Sequence, residues 1–163
     1  MTKETVRQNV KDILTEYLEV NNQRKTPERY AILDAVYGMN GHFTLEELGE
    51  VLEKNNFRVS RATLYNTMKL LIELRLVIRH RFVIGQTVYE ACYNNEDHIH
   101  QVCTVCGTIT EIDSPDINEA IRQTKFKRFR KDGFTLYIYG VCSSCQARIT
   151  RRINMNKKNK ETR

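Results

Sequence analysis

The chain has 163 residues, is 40% hydrophobic without Trp, and carries a formal charge of +6 from 26 Lys and Arg against 20 Asp and Glu. That length buries one good core or two small ones, and no stretch approaches the ~18 continuous apolar residues of a membrane span. The polar start Met1-Thr2-Lys3-Glu4 is unlike a signal peptide, so a cytoplasmic location is expected, with neither membrane nor small-molecule substrate as a partner. The charge does not by itself argue nucleic acid. Six basic residues (Arg151, Arg152, Lys157, Lys158, Lys160, Arg163) against Glu161 alone place most of the excess after residue 150, and 151–163 are expected to form a basic, disordered tail.

From Val6 to Val20 the apolar residues recur at helical spacing, and Asn21-Asn22 ends the pattern. Thr26-Pro27 then offers an N-cap followed by Pro at the first helical position, opening a second helix that stops at Gly38. Thr44 and Glu47 form a capping box for a third helix carrying Leu45, Leu48, Val51 and Leu52. Ser60 caps a fourth, running to about Leu74. Leu64, Met68 and Leu71, with Thr67 and Ile72 beside them, share one side of it; Ala62, Tyr65, Asn66 and Lys69 share the other. Two β-branched runs, 77–83 and 87–91, follow as a hairpin around Gly85. Short helices and a hairpin within about ninety residues outline a winged helix-turn-helix. In that reading Arg61 and Thr63, in the first turn of the fourth helix, with Tyr65, Asn66 and Lys69, face DNA; the plainer reading is a solvated face of a small helical domain.

The second half reads as strand, strand, helix, strand and terminal helix: the stretch from Asp97 to Gly107 read as extended, residues 108–112, a helix capped by Ser114, 134–141, and a helix from about Ser143. The expected organisation is a winged-helix domain over 1–92, a hinge over 93–96, an α+β domain over 97–150 and the tail.

The stretch from Asp97 to Gly107 packs two imidazoles and two thiols into eleven residues. Along a strand, His98 and His100 point the same way and can share an ion. Cys103 and Cys106, followed by Gly107, have the spacing that presents two thiolates to one tetrahedral zinc, and Cys142 and Cys145 repeat it. Four thiolates close a site with no position for water, so one structural Zn²⁺ per chain is expected; the alternative is two unrelated pairs, one of them redox active. His98 and His100 need further ligands, for which His42 in the loop before the third helix, Glu90 at the end of the hairpin and Glu111 on the next strand are candidates. An ion held by these residues would cross-link the two halves. Cys92 is left over.

Thr26-Pro27-Glu28-Arg29, Arg61-Ala62-Thr63-Leu64-Tyr65-Asn66, Tyr89-Glu90, His98-Ile99-His100 with Cys103-x-x-Cys106-Gly107, and Leu136-Tyr137-Ile138-Tyr139-Gly140-Val141-Cys142 together resemble the ferric-uptake-regulator family of metal-dependent transcriptional repressors. The resemblance runs from Thr26 to Cys145. It implies an N-terminal winged-helix domain and a C-terminal α+β dimerisation domain, a four-Cys structural zinc, and a regulatory site at His42, Glu90, His98, His100 and Glu111 for a second divalent metal (Fe²⁺, Zn²⁺, Mn²⁺ or Ni²⁺). Many members have a further metal site in the dimerisation domain; the matching positions here are Asp97, Ile99, Asn118 and Phe134, so that site is expected to be absent. Asn66 stands where several iron-sensing members have Arg, as in members resembling the peroxide sensors, whereas Glu90 stands where peroxide sensing is associated with Asp. Arg forks onto guanine and Asn suits adenine, so the operator is expected to differ from the familiar iron box.

The function expected is that of a homodimeric repressor of metal-homeostasis or oxidative-stress genes. It binds palindromic, AT-rich double-stranded DNA when the regulatory site is loaded, with phosphate contacts from Arg24, Lys25 and Arg29. Because imidazole ligates only when neutral, the response is expected to weaken toward acid pH. Two other classes are weaker fits. A zinc hydrolase or deaminase needs an open metal position and the His-x-Glu with Pro-Cys-x-x-Cys pattern, which the chain lacks. An RNA-binding protein would use the interleaved basic and aromatic residues 125–131, although Phe126 and Phe129 are expected to be core.

Overall fold

The computed structural model describes residues 2–81, 87–93, 97–131 and 133–161; at 97, 98 and 156–161 it describes the backbone alone. These residues form two compact units, 2–81 with 87–93 and 97–131 with 133–161. The turn expected around Gly85 and residues 94–96 of the expected hinge lie outside the described residues.

The first unit is four helices and a two-stranded sheet. Helix α1, Lys3–Val20, starts at Thr2, whose hydroxyl accepts the Thr5 amide proton. It ends where Asn22 takes a left-handed φ of 51° and the Gln23 amide reaches back to the Leu18 carbonyl at 2.8 Å, a closure that Asn tolerates better than most residues. Helix α2, Pro27–Val36, has Thr26 at the N-cap position without a side-chain cap bond; the fixed φ of Pro27 defines the start instead. Helix α3, Leu45–Lys54, carries the full reciprocal capping box between Thr44 and Glu47. Helix α4, Arg61–Glu73, is capped by Ser60, which accepts the Thr63 amide proton at 3.0 Å. Leu14 and Leu18 of α1, Ile32 of α2, Leu52 of α3 and Met68 and Leu71 of α4 meet in one fully buried cluster, each worth about 1.5–3 kcal/mol of apolar burial.

Strands β1, Val77–His80, and β2, Val88–Ala91, pair antiparallel with Ile78 opposite Glu90; β2 starts one residue inside the run 87–91, and residues 82 and 83 of the run 77–83 lie outside the described residues. An isolated bridge adds the loop before α3 to this hairpin. Phe43 and Tyr89 exchange backbone hydrogen bonds of 2.9 and 2.7 Å, and their rings stack with centroids 6.2 Å apart.

The second unit is a three-stranded sheet with two helices. Strand β3, Asp97–Cys103, lies between β4, Ile109–Ile112, and β5, Phe134–Gly140. It runs antiparallel to β4 and parallel to β5, with Asp97 opposite Phe134 and Cys103 opposite Gly140. Parallel neighbours need a long crossover, and helix α5, Pro115–Gln123, lies in the segment that provides it. Helix α6, Ser143–Glu161, closes the described chain.

This unit departs from expectation in two places. The basic segment expected to be disordered continues α6 as far as Glu161; as far as that residue it contains no Gly or Pro and is rich in Arg and Lys, so it propagates a helix already started upstream. Phe126 and Phe129, expected in the core, are 43% and 68% exposed and pack edge-on against each other at 6.1 Å, because they follow the end of α5 on a segment that joins no strand or helix.

Candidate metal centres and nucleic-acid interface

In the second unit, the parallel register of β3 and β5 brings the ends of both strands to one edge of the sheet; β3 continues from Cys103 into a turn that carries Cys106, and β5 leads through Cys142 into the start of α6, which carries Cys145. The turn after β3 closes through the Cys103 carbonyl, which accepts the Gly107 amide proton at 2.9 Å. It needs Gly107 at φ +74°, a conformation costly with a Cβ. The Thr104 amide donates to the Gly140 carbonyl at 2.8 Å, tying this turn to the end of β5. One sulfur of each of Cys103, Cys106, Cys142 and Cys145 lies within 4.8 Å of the others. The Cys106 and Cys142 sulfurs are 3.8 Å apart. Four sulfurs at ~2.3 Å from a tetrahedral zinc are about 3.8 Å from one another, whereas a disulfide needs about 2.05 Å; all five cysteines are free thiols. The donor set therefore fits a closed structural zinc.

The four sulfurs are electrostatically unequal. Backbone N–H groups of Cys142, Cys106 and Val105 point at Cys103 and bring its thiol down to about 6 from the ordinary 9.0. A hydrogen bond from the Thr108 hydroxyl lowers that of Cys106. Burial, then the neighbouring thiols, push Cys145 up to about 12. Near neutral pH the metal-free site thus holds a thiolate at Cys103 and a proton on Cys145, and zinc uptake displaces at least that proton.

In the first unit, His42, His80 and Glu90 converge. The Phe43–Tyr89 bridge sets the residue before Phe43 beside the residue after Tyr89, so the His42 Nε2 lies 3.5 Å from Glu90 Oε2. His80 sits diagonally across the β1–β2 ladder from Glu90, and its Nε2 lies 3.1 Å from the same oxygen. The two imidazole rings meet edge-on at 5.1 Å. Glu90 and His80 are buried and His42 nearly so.

Of the other residues expected at a regulatory site, His100 is fully buried in the second unit and stacks on Tyr137 with centroids 5.4 Å apart. Glu111 is its cross-strand partner on β4 and is exposed. His98 lies on β3 two positions earlier; its side chain is outside the described residues. At the positions matching the family's further site, Ile99 is fully buried and Asn118 has a buried side-chain oxygen.

Helix α4 separates its faces as its periodicity indicates. Leu64, Thr67, Met68 and Leu71 are buried, and so is Leu70; Arg61, Ala62, Asn66 and Lys69 are exposed, with Tyr65 56% exposed and Thr63 at the edge. Arg24 and Lys25 are exposed ahead of α2. Lys25 pairs with Glu19, and the Arg29 guanidinium donates to the Arg24 carbonyl at 2.9 Å.

Comparison with known proteins agrees with this architecture. Residues 20–139 match the model of the ferric uptake regulator family. The chain is 33% identical over 109 residues to the ferric uptake regulation protein of Neisseria meningitidis, covering 66% of this chain and 74% of that one. It is 30% identical over 124 residues to the peroxide-responsive repressor PerR of Staphylococcus aureus, covering 76% and 82%. Among solved structures, the Helicobacter pylori ferric uptake regulator Fur, described with three functional metal-binding sites, superposes with a TM-score of 0.66 at 20% identity over 90% of this chain and 95% of that one. Winged helix, α+β unit, two clusters able to hold a metal ion and these relatives together mark a metal-responsive transcriptional regulator rather than an enzyme. The chain belongs to the ferric uptake regulator family.

The sequence missed His80. The signal that finds it is the hairpin register: with Ile78 opposite Glu90, residues 78, 80 and 90 share one face of the ladder.

Proposed function

We propose that the chain is a homodimeric repressor whose affinity for double-stranded operator DNA is set by a divalent metal at a regulatory site, while a zinc on four cysteines holds the second unit folded. What carries the reading is the presence, in a chain with an exposed α4 face, of two donor sets of different chemistry: four closed thiols in one unit, and buried imidazoles with a carboxylate in the other. Thiolates suit a permanent zinc; imidazole and carboxylate suit Fe²⁺, Zn²⁺ or Mn²⁺ in exchange. The regulatory ligands are assigned to His42 and Glu90 of the first unit and His98, His100 and Glu111 of the second. The cross-strand pairing of His100 with Glu111 and the convergence of His42 on Glu90 support the two halves of that set.

An ion ligated from both units fixes the spacing of two winged helices against two major-groove half-sites. By linkage, the factor by which it raises DNA affinity equals the factor by which DNA raises its own affinity. Regulators of this family are DNA-binding dimers. In this chain, bases are assigned to Arg61, Thr63, Tyr65, Asn66 and Lys69 and phosphates to Arg24, Lys25 and Arg29, in keeping with the exposure of Arg61, Tyr65, Asn66 and Lys69 on α4 and of Arg24 and Lys25 ahead of α2; Thr63 and Arg29 are half-buried. No described helix is long and apolar enough to cross a membrane, which accords with a cytoplasmic regulator.

The test is metal analysis before and after mild chelation, paired with gel shift on a palindromic AT-rich duplex. One resistant zinc and one exchangeable ion per chain are expected, with DNA affinity following the exchangeable ion. DNA affinity indifferent to chelation rejects the reading.

A further inference from the structure

The first unit brings more ligating groups together than the regulatory reading uses. His80 is 1% exposed at the end of β1, and its Nε2 lies 3.1 Å from Glu90 Oε2; the His42 Nε2 lies 3.5 Å from that same oxygen. Donors at ~2.0–2.2 Å from one ion are separated by about 2.8–3.1 Å at right angles and about 3.3–3.6 Å at tetrahedral angles. The two observed separations are therefore edges of a coordination polyhedron as well as polar contacts. One donor atom of each of the three residues lies within 4.8 Å of the others, so small side-chain rotations suffice to surround an ion. All three come from secondary structure of one unit: His42 from the Phe43–Tyr89 bridge, His80 and Glu90 from the β1–β2 ladder.

We propose that His80 is a metal ligand, and that His42, His80 and Glu90 form a three-donor site with which the first unit holds a divalent ion by itself. Two imidazoles and a carboxylate on one side of an ion leave its remaining positions open, an arrangement that suits Fe²⁺ and related first-row ions. The regulatory site then fills in two steps. The ion is captured on the winged-helix unit, and ligands of the second unit afterwards displace water from the open positions. The signal reports not arrival of the ion but completion of its coordination. This rests on the regulatory reading above and adds to it a ligand and an order of events.

The experiment uses the full chain with its four-cysteine zinc retained, mildly chelated and titrated with Co²⁺. Three proteins are compared: wild type, His98→Ala/His100→Ala, and the same double variant with His80→Ala. Wild type and the double variant are each expected to take up one Co²⁺ per chain with a visible ligand-field spectrum, the double variant more weakly and without gain in DNA affinity. Adding His80→Ala should weaken uptake more than a hundredfold, beyond the 10–100-fold typical of losing a group that only orients a ligand. In case His80→Ala does not fold, the Co²⁺-loaded double variant is read directly by NMR, where two hyperfine-shifted imidazole N–H resonances are expected, one each from His42 and His80. A single shifted imidazole, or a double variant that takes up no Co²⁺ while wild type does, overturns the three-donor site and leaves the regulatory reading standing. Wild type that takes up no exchangeable ion overturns both.

Discussion

At the scale of single residues, the second unit places chemically identical thiols in different surroundings. Cys106 is exposed and its thiolate is favoured by Thr108; Cys103 and Cys145 are buried, and Cys92 is buried with its thiol donating to the Arg75 carbonyl at 2.9 Å. With zinc holding all four second-unit sulfurs as thiolates, access sets their order of reaction. Limiting iodoacetamide on the zinc-loaded protein should therefore modify Cys106 first and Cys92, Cys103 and Cys145 last, as read by peptide mass mapping. Uniform labelling of the four second-unit cysteines contradicts this assignment of environments.

At the scale of elements, α4 carries two separable roles on its two faces. Leu71→Ala on the buried side removes a fully enclosed side chain and should cost about 2–5 kcal/mol of stability, measured by urea unfolding. Asn66→Ala and Lys69→Ala remove exposed side chains. They should leave stability within about 0.5 kcal/mol of the parent and weaken operator binding in a salt-controlled gel shift; unchanged binding excludes them from the interface. The faces of α4 were legible in sequence because a 3.6-residue period is local, and so were the Thr44–Glu47 box and the Cys pairs. His80 was not. Its meeting with Glu90 depends on which residues the hairpin aligns, and register is a property of the pair that neither strand's own sequence fixes. Phe126 and Phe129 misled for the opposite reason: aromatic residues outside any periodic element default to core, and nothing local says that the chain there joins no sheet. The basic segment after Arg151 misled because the charge that reads as disorder belongs to residues that also form helices well.

At the scale of the molecule, the two units differ in what holds them. The first encloses a full apolar cluster drawn from four helices. Among the described residues, the buried apolar ones of the second are Ile99, Val102, Cys103 and Cys145, two of which are candidate zinc ligands, and α5 buries none. So small a core needs the metal, since structural zinc sites supply roughly 10–16 kcal/mol of apparent binding free energy. Stripping zinc with a strong chelator should abolish the second unit's calorimetric transition and leave the first unit's near its original temperature, and Cys103→Ser should reproduce this. A single transition, shifted as a whole, contradicts independent cores.

The parallel pairing of β3 with β5 also bears on how the chain finds its structure. The strands are joined through some thirty residues, and such non-local pairing forms late and slowly. A slip of one residue along a strand moves its end by ~3.3 Å and turns every side chain to the opposite face. It would carry Cys142 and Cys145 away from Cys103 and Cys106, which meet because Cys103 aligns with Gly140. A slipped sheet offers an ion two thiols; the correct one offers four. The four-thiol site is thus a consequence of strand register as well as of sequence, since neither Cys pair alone can close it.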